Sequence, residues 1–386
     1  MGFAMRILFV SHSHAPGGAQ SCLGELVSHC VSAGDECAVI GPRSGPWLDQ
    51  YQRLGVPVIR IPLADIFRGS GLLWRAKVLL RLVLNVLQIA MTIRRFHPDL
   101  VYTNTSTIPA GAIAAKLMKV RHIWHVHENL STLPVPYAAG MSTLRRMITG
   151  FSDRIVFVSQ CAMNGFYPQR CDKAVSIHNG VDVDRFQRCL AGKDSDGRHV
   201  GATDGIRLGF VGALSPVRGV DVLLEAFALL KNEHPHLVLH LWGTGKPEYI
   251  QHVSELAKLF GVPDSVKLMG YARNVAEIMP DYDVLVVPSR SESFSRVALE
   301  AMAAGVPLVA TRCGGPEDYV EDGVTGRLVA VGDVHQLADA VDWVLKNPEQ
   351  SQKMAQRAQQ KVRTDFRLED KLREIRAIIQ QVVQGK

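Results

Sequence analysis

The stretch PSRSESFSRVALEAMAAGVPLVAT, residues 288–311, decides how this chain folds. Before it runs Asp283-Val284-Leu285-Val286-Val287, an apolar strand closed by Pro288. Val297 to Ala304 carries apolar residues at helical spacing, and Gly305 with Pro307 stops the helix. Leu308-Val309-Ala310 then starts another short strand. Strand, loop, helix and strand form one unit of a parallel sheet. Open α/β sheets bind ligands at the carboxyl ends of their strands, where Glu292 lies. Glu300 follows inside the helix. Between them the backbone N–H groups of Phe294, Ser295, Arg296 and Val297 are expected at the helix N-terminus, a natural phosphate site. One carboxylate can accept hydrogen bonds from a ribose diol and the other from hydroxyls of a second sugar, with a diphosphate between them. That is the shape of a nucleotide-sugar.

The same strand-and-helix alternation extends in both directions. Strands are expected at 6–11, 36–41, 57–61, 100–103, 122–126, 154–159 and 174–177, then at 206–211, 237–242, 266–269, 283–287 and 308–310. Residues 188–205, RCLAGKDSDGRHVGATDG, are polar and rich in Gly and Asp, and read as a linker. The expected organisation is therefore α/β: a doubly wound domain over 1–187, a linker over 188–205, a second such domain over 206–365, and a final helix over 366–386. The 386 residues suffice for two cores, and 47% hydrophobic with 21% charged residues is an ordinary globular composition. The net charge of +6 suits anionic ligands or an anionic membrane surface and is no nucleic-acid signature. Seven scattered cysteines without a CxxC point to reduced thiols, as in the cytoplasm. The amino-terminal apolar run is too short for a signal peptide and reads as the first strand.

Three further loops follow strands. His14-Ala15-Pro16-Gly17-Gly18-Ala19-Gln20 lets backbone approach a ligand at Gly17 and Gly18, and it lacks the G-x-G-x-x-G dinucleotide fingerprint. Ile123-Trp124-His125-Val126-His127-Glu128 ends a strand on His127, with His125 deeper on the same face. Gly212-Ala213-Leu214-Ser215-Pro216-Val217-Arg218-Gly219 precedes a long helix. The pairs Asp182/Asp184 and Asp281/Asp283 and the H-x-H at 125–127 are the metal candidates, and none is joined by further ligands in the sequence.

The run from Glu292 to Glu300 resembles the E-x7-E motif of the retaining family 4 glycosyltransferases of GT-B fold. The resemblance is dense from Phe210 to Val329 and patchy before it. It implies two Rossmann-like domains facing across a cleft, with the acceptor on the N-terminal one and the final helix crossing back to it. It implies a hexose-type transfer from a UDP- or GDP-sugar, without metal or cofactor, through a front-face mechanism. On that pattern Glu300 holds the ribose, Glu292 the donor sugar hydroxyls, and His127 a sugar hydroxyl. Arg218 stands at the family's Lys position and binds pyrophosphate with the helix start at Phe294–Val297. Gly17, Gly18 and Gly212 line the phosphates, and Ala272 and Arg273 border the base. The catalytic set is thus Glu292, His127 and Arg218. Ala213 departs from the family's Arg, and Arg296 is either the compensating cation or merely solvated. The turn Asn179-Gly180-Val181-Asp182 resembles a family motif that closes the domain.

Residues 72–96, LLWRAKVLLRLVLNVLQIAMTIRRF, form an apolar helix with one polar stripe: Lys77, Arg81, Asn85, Gln88, Thr92 and Arg95. Either the helix packs on the sheet with that stripe wet, or it docks on an anionic membrane surface with Arg145, Arg146 and Arg154 extending the basic face. The second reading places the enzyme at the inner face of the cytoplasmic membrane. It fits a lipid-linked glycan acceptor in surface polysaccharide synthesis, such as lipopolysaccharide. A small soluble acceptor, or an inactive nucleotide-binding scaffold, are the alternatives.

Overall fold

A computed structural model describes residues 4–11, 17–41, 47–63, 71–128, 140–190 and 205–385. The chain divides into two compact units: Met1–Asn179 with Glu369–Lys386, and Gly180–Leu368. Each is α/β with one wholly parallel sheet.

The first unit holds β1 (Arg6–Val10), β2 (Glu36–Gly41), β3 (Val58–Arg60), β4 (Leu100–Thr103), β5 (Arg121–Val126), β6 (Arg154–Phe157) and β7 (Ala174–Ser176). Their order across the sheet is β3-β2-β1-β4-β5-β6-β7. The second unit holds β8 (Arg207–Val211), β9 (Val238–Trp242), β10 (Val266–Gly270), β11 (Val284–Val287), β12 (Leu308–Thr311) and β13 (Arg327–Val329), in the order β10-β9-β8-β11-β12-β13. Near-continuous apolar runs such as Ile7-Leu8-Phe9-Val10 and Val284–Val287 are buried throughout, as strands covered on both faces require. In each sheet the winding reverses once, between β1 and β4 and between β8 and β11. That reversal opens a crevice at the strands' carboxyl ends.

The boundary expected at 187/188 falls instead at 179/180. The helix Val183–Leu190 is part of the second unit and packs on the helices Val275–Ile278 and Arg296–Ala304. Two features fix it there. The carboxylate of Asp182 accepts from the Arg185 N–H at 3.0 Å, and Phe186 is buried. Val181 also pairs with the end of the unit, its N–H donating to Phe366 O at 2.9 Å while Leu368 N–H donates to Val181 O at 3.0 Å. Gly180 is required at this crossing, since a Cβ would stand 2.5 Å from Leu368 Cα. Residues 191–204 of the expected linker lie outside the described residues. The final helix, Leu368–Val383, has its residues from Glu369 onward in the first unit. Arg376 there makes a two-point ion pair with the buried side chain of Asp35, at 2.7 and 2.9 Å.

The helix Leu72–Phe96 departs from its packed reading. Val86, Ile89 and Ile93 bury against the helix Ala110–Leu117, but Asn85 in the middle of the polar stripe is buried too. Its amide donates to Pro62 O at 3.2 Å. Lys77, Arg81, Gln88 and Arg95 of the stripe are exposed, but so is a run of apolar side chains: Leu73, Leu80, Leu84, Leu87 and Met91 are all at least half exposed, Leu73 at 81%. The segment Ala76–Phe96 is long and apolar enough, by length and composition alone, to cross a membrane, and its most apolar 18-residue stretch is only 17% buried.

Candidate active site

In the second unit the site grows from the two strands at the reversal. After β8 the chain turns through Gly212 to Leu214 and enters a short 3-10 turn, Pro216–Arg218. Gly219 follows at φ 65°, and a Cβ there would stand 2.0 Å from Pro288 O, so the turn lies against the end of β11. Arg290 pins it. The Arg290 N–H donates to Val217 O (2.8 Å), its guanidinium to Pro216 O (2.6 Å), and its two terminal nitrogens to the carboxylate of Asp221 (2.8 and 2.6 Å). Burial works against the Asp221 charge, yet the Arg290 hydrogen bonds hold its carboxyl below the ordinary value.

So held, Arg218 meets Glu292 in an ion pair. Glu292 is 8% exposed and also accepts from the Ser289 hydroxyl at 2.9 Å. Burial lowers the pKa of Arg218 from a starting value so high that it stays cationic at neutral pH. The Glu292 backbone bridges to the next strand's loop, its N–H donating to Cys313 O and its carbonyl accepting from Gly315 N–H, both at 3.0 Å. Burial pushes the Cys313 thiol up to about 12, so it is no thiolate nucleophile at neutral pH.

Past Glu292 the backbone is forced. Gly315 lies so close to Phe294 that a Cβ would meet its backbone at 2.5 Å. Ser295 takes a left-handed conformation (φ 66°) that a serine adopts only under constraint. The Tyr319 hydroxyl supplies part of that constraint, sharing its proton between Phe294 O (2.8 Å) and Ser295 O (2.7 Å). The side chains of Phe294 and Ser295 are buried, which leaves their backbone as the part that can meet a ligand. The helix Arg296–Ala304 starts here, and the side chain of its N-cap residue, Ser295, makes no capping hydrogen bond. First-turn amides have no intrahelical acceptor, so this end favours an anion. Arg296 is not merely solvated: it is 17% exposed, with its Nε 3.8 Å from Glu300 Oε1 one turn on. Val297 sits beside it, half-buried.

The loops after β8, β9 and β10 form a row. Gly212 N–H donates to Trp242 O (2.9 Å), and Gly243 N–H donates to Gly270 O (2.7 Å). Gly243, at φ 147°, packs so tightly that a Cβ would clash with Gly212 O. Ala272 and Arg273 follow Gly270 at the sheet's edge, half-buried and exposed. Ala213 is exposed.

The first unit carries the other sequence-derived residues, likewise at its reversal. Gly17 and Gly18 are exposed where the helix Gly18–Ser32 begins, while His14, Ala15 and Pro16 lie outside the described residues. His127 follows β5, half-buried, its Nε2 2.9 Å from Asn104 Oδ1. Its ring lies 4.1 Å from that of His125. His125 is buried, bonded through Nδ1 to the Tyr102 hydroxyl at 2.7 Å, and pushed down to about 3 by burial. Glu128 accepts from the Thr105 hydroxyl (2.6 Å), the Ser106 hydroxyl (2.9 Å) and the N–H groups of Ser106 and His127 (both 3.2 Å).

Glu292, Arg218, Arg296 and Glu300 are thus brought into two ion pairs on one loop and helix start. Sequence reasoning did not single out Arg290, Asp221, Tyr319, Asn104 or Glu128. The polar run Thr103-Asn104-Thr105-Ser106 after an apolar strand, and the acid directly after His127, were the available signals. The aspartates of the two D-x-D pairs have protein partners: Asp182 caps its helix, Asp184 pairs with Arg367 at 3.9 Å, and Asp283 accepts from Arg207 N–H at 2.7 Å. Among the described residues no group of three His, Cys, Asp or Glu is close enough to hold a metal ion.

Comparison with known proteins matches the chain to a family. The family model "Glycosyltransferase Family 4" matches residues 16–185, and "Glycosyl transferases group 1" matches residues 195–361. The chain is 38% identical over 153 residues to N-acetyl-alpha-D-glucosaminyl L-malate synthase of Bacillus anthracis. That stretch is 40% of this chain and 39% of the synthase, so the match spans well under two thirds of that relative. It is 27% identical over 350 residues to the GDP-mannose-dependent alpha-mannosyltransferase of Mycobacterium tuberculosis, 87% of each chain. In fold it resembles Anabaena Alr3699/HepE, solved in complex with UDP-glucose, with a TM-score of 0.80 at 24% identity over 98% of this chain and 100% of that one. With both parallel-sheet units matched, the chain belongs to the family 4 glycosyltransferases, of GT-B fold.

Proposed function

We propose that the chain is a retaining, metal-independent hexosyltransferase that moves a sugar from a UDP- or GDP-sugar to a lipid-linked glycan. The observation that carries this reading is the loop after β11. There a buried carboxylate, Glu292, is paired with Arg218 beside the start of the helix Arg296–Ala304, whose N-cap residue Ser295 makes no side-chain cap. The diphosphate sits on that helix end and on Arg218, with Glu300 on the ribose and Glu292 on the donor sugar hydroxyls. Arg296, next to Glu300, is the candidate replacement for the cation missing at Ala213.

In the transfer, the bond from the anomeric carbon to the phosphate oxygen breaks while the acceptor oxygen bonds to the same face of the sugar. The departing phosphate oxygen takes the acceptor's proton. Arg218 and the helix dipole stabilise the charge growing on that phosphate. Incubating the protein with UDP-glucose or GDP-mannose and a polyprenyl-linked oligosaccharide should release one nucleoside diphosphate and give an α-linked product. Release of neither, or an inverted product, contradicts the proposal.

The acceptor class rests on the helix Leu72–Phe96. Its outward leucines form a ridge that water does not favour, and the exposed Lys77, Arg81, Arg94 and Arg95 match anionic headgroups. We assign it to the surface of an anionic bilayer, at the cytoplasmic face of the membrane. Co-sedimentation with phosphatidylglycerol vesicles should be strong for the native chain and lost in Leu80→Glu/Leu84→Glu. Equal sedimentation of both contradicts the assignment. A second reading, a small soluble acceptor, draws support from the relative named N-acetyl-alpha-D-glucosaminyl L-malate synthase, whose name contains the small molecule L-malate. It takes over if the native chain does not bind vesicles. An inactive scaffold is the reading left if no nucleotide binds.

A further inference from the structure

We infer that Asn104 is a positioning residue that sets the tautomer of His127, keeping its proton on Nε2 and making Nδ1 the ring's accepting atom. Asn104 stands at the carboxyl end of β4, 1% exposed, with its backbone N–H donating to Val10 O at 2.9 Å. A side-chain amide has one donating end and one accepting end. One end of Asn104 lies 3.0 Å from the carbonyl of Ala19, which can only accept, so that end is the NH2 group. The other end, 2.9 Å from His127 Nε2, is therefore the carbonyl oxygen. An amide oxygen cannot donate, so Nε2 must carry a hydrogen. In a neutral imidazole the lone pair then belongs to Nδ1.

The orientation thus passes from the backbone of Ala19, at the glycine loop, through one buried amide to the histidine. The positioning role rests on the glycosyltransferase reading, whereas the tautomer itself does not.

The test is 15N NMR of the full chain labelled at histidine, with the His127 signals assigned by their loss in His127→Gln. The native protein should show a protonated-type shift at Nε2 and an unprotonated-type shift at Nδ1. Asn104→Asp, which keeps an acceptor, should leave Nε2 protonated. Asn104→Leu should bring in the Nδ1-protonated form and lower kcat on the order of tenfold or more, with nucleotide affinity unchanged. A native His127 with its proton on Nδ1, or tautomer populations unmoved in Asn104→Leu, overturns the assignment. Unchanged kcat in Asn104→Leu overturns the positioning role. If Asn104→Leu does not fold, the native and Asn104→Asp spectra still decide. If the native chain turns over no nucleotide-sugar, the glycosyltransferase reading fails, and the spectrum still reports on the tautomer.

Discussion

Glu292 and Glu300 are both carboxylates of one loop and helix, yet the chain treats them differently. Glu292 is buried, held by Ser289 and Arg218, so it is oriented before any substrate arrives. Glu300 is partly exposed, with Arg296 at the loose distance of 3.8 Å. Mutation should separate them. Glu300→Ala should weaken nucleoside diphosphate binding by roughly 1.5–3 kcal/mol, the worth of a charge-assisted hydrogen bond. Glu292→Ala should lower turnover far more than it weakens bare nucleotide binding. Full activity in that variant would contradict its place at the donor sugar. Arg290 extends the argument one residue outward. It touches the backbone of the turn that carries Arg218, so Arg290→Ala should raise the donor KM although it removes no proposed ligand contact. An unchanged KM would show that the turn holds its shape through Gly219 alone.

At the scale of elements, the helix start at Arg296 depends on a strained entry. Ser295 sits at φ 66°, where glycine is comfortable and a β-branched residue is not. Ser295→Gly should be tolerated or slightly stabilising. Ser295→Val should lower the melting temperature and weaken nucleotide binding together, because it dislodges the amides at the helix end. Calorimetric melting of the two variants checks this, and equal stability would contradict the strain. The strand and helix in question were legible in the sequence because Val284–Val287 is a continuous apolar run and Gly305 with Pro307 ends the helix. The left-handed Ser295 was not, since its cause is Gly315 and Tyr319, distant in sequence. The same limit explains the Leu72–Phe96 helix. Its length and composition were readable, but a polar stripe looks wet from sequence, and only Pro62 O, reached by Asn85, shows that part of it faces inward. The short strand Arg327–Val329 was missed for want of a long apolar run. The boundary at 179/180 was missed because Gly/Asp-rich composition marks a loop and says nothing of which side a preceding helix packs on.

For the molecule as a whole, stability rests on two buried polar features of the first unit. Removing one partner of the Asp35–Arg376 pair, as in Arg376→Met, should cost roughly 3–5 kcal/mol, because Asp35 is left buried without its cation. Urea unfolding measures this, and a change within error would contradict it. The second feature is pH dependence. Burial pushes His122 and His125 down to about 3 each. Their folded values lie below the unfolded value of about 6.5, so the unfolded chain binds protons that the folded one does not. Their contribution is complete above about pH 6.5 and drains away as pH falls toward 3. The melting temperature should therefore drop steadily over that window, and a flat profile would contradict neutral buried imidazoles.

In the proposed site the second unit binds a nucleoside diphosphate without metal, between Arg218, the helix end at Arg296 and Glu300. Isothermal calorimetry of the purified chain in EDTA, titrated with UDP and then GDP, tests this, with Glu300→Ala run alongside. Micromolar binding of one nucleotide is expected, about tenfold or more weaker in the variant. Binding of neither nucleotide, or equal affinity in native chain and variant, would contradict it.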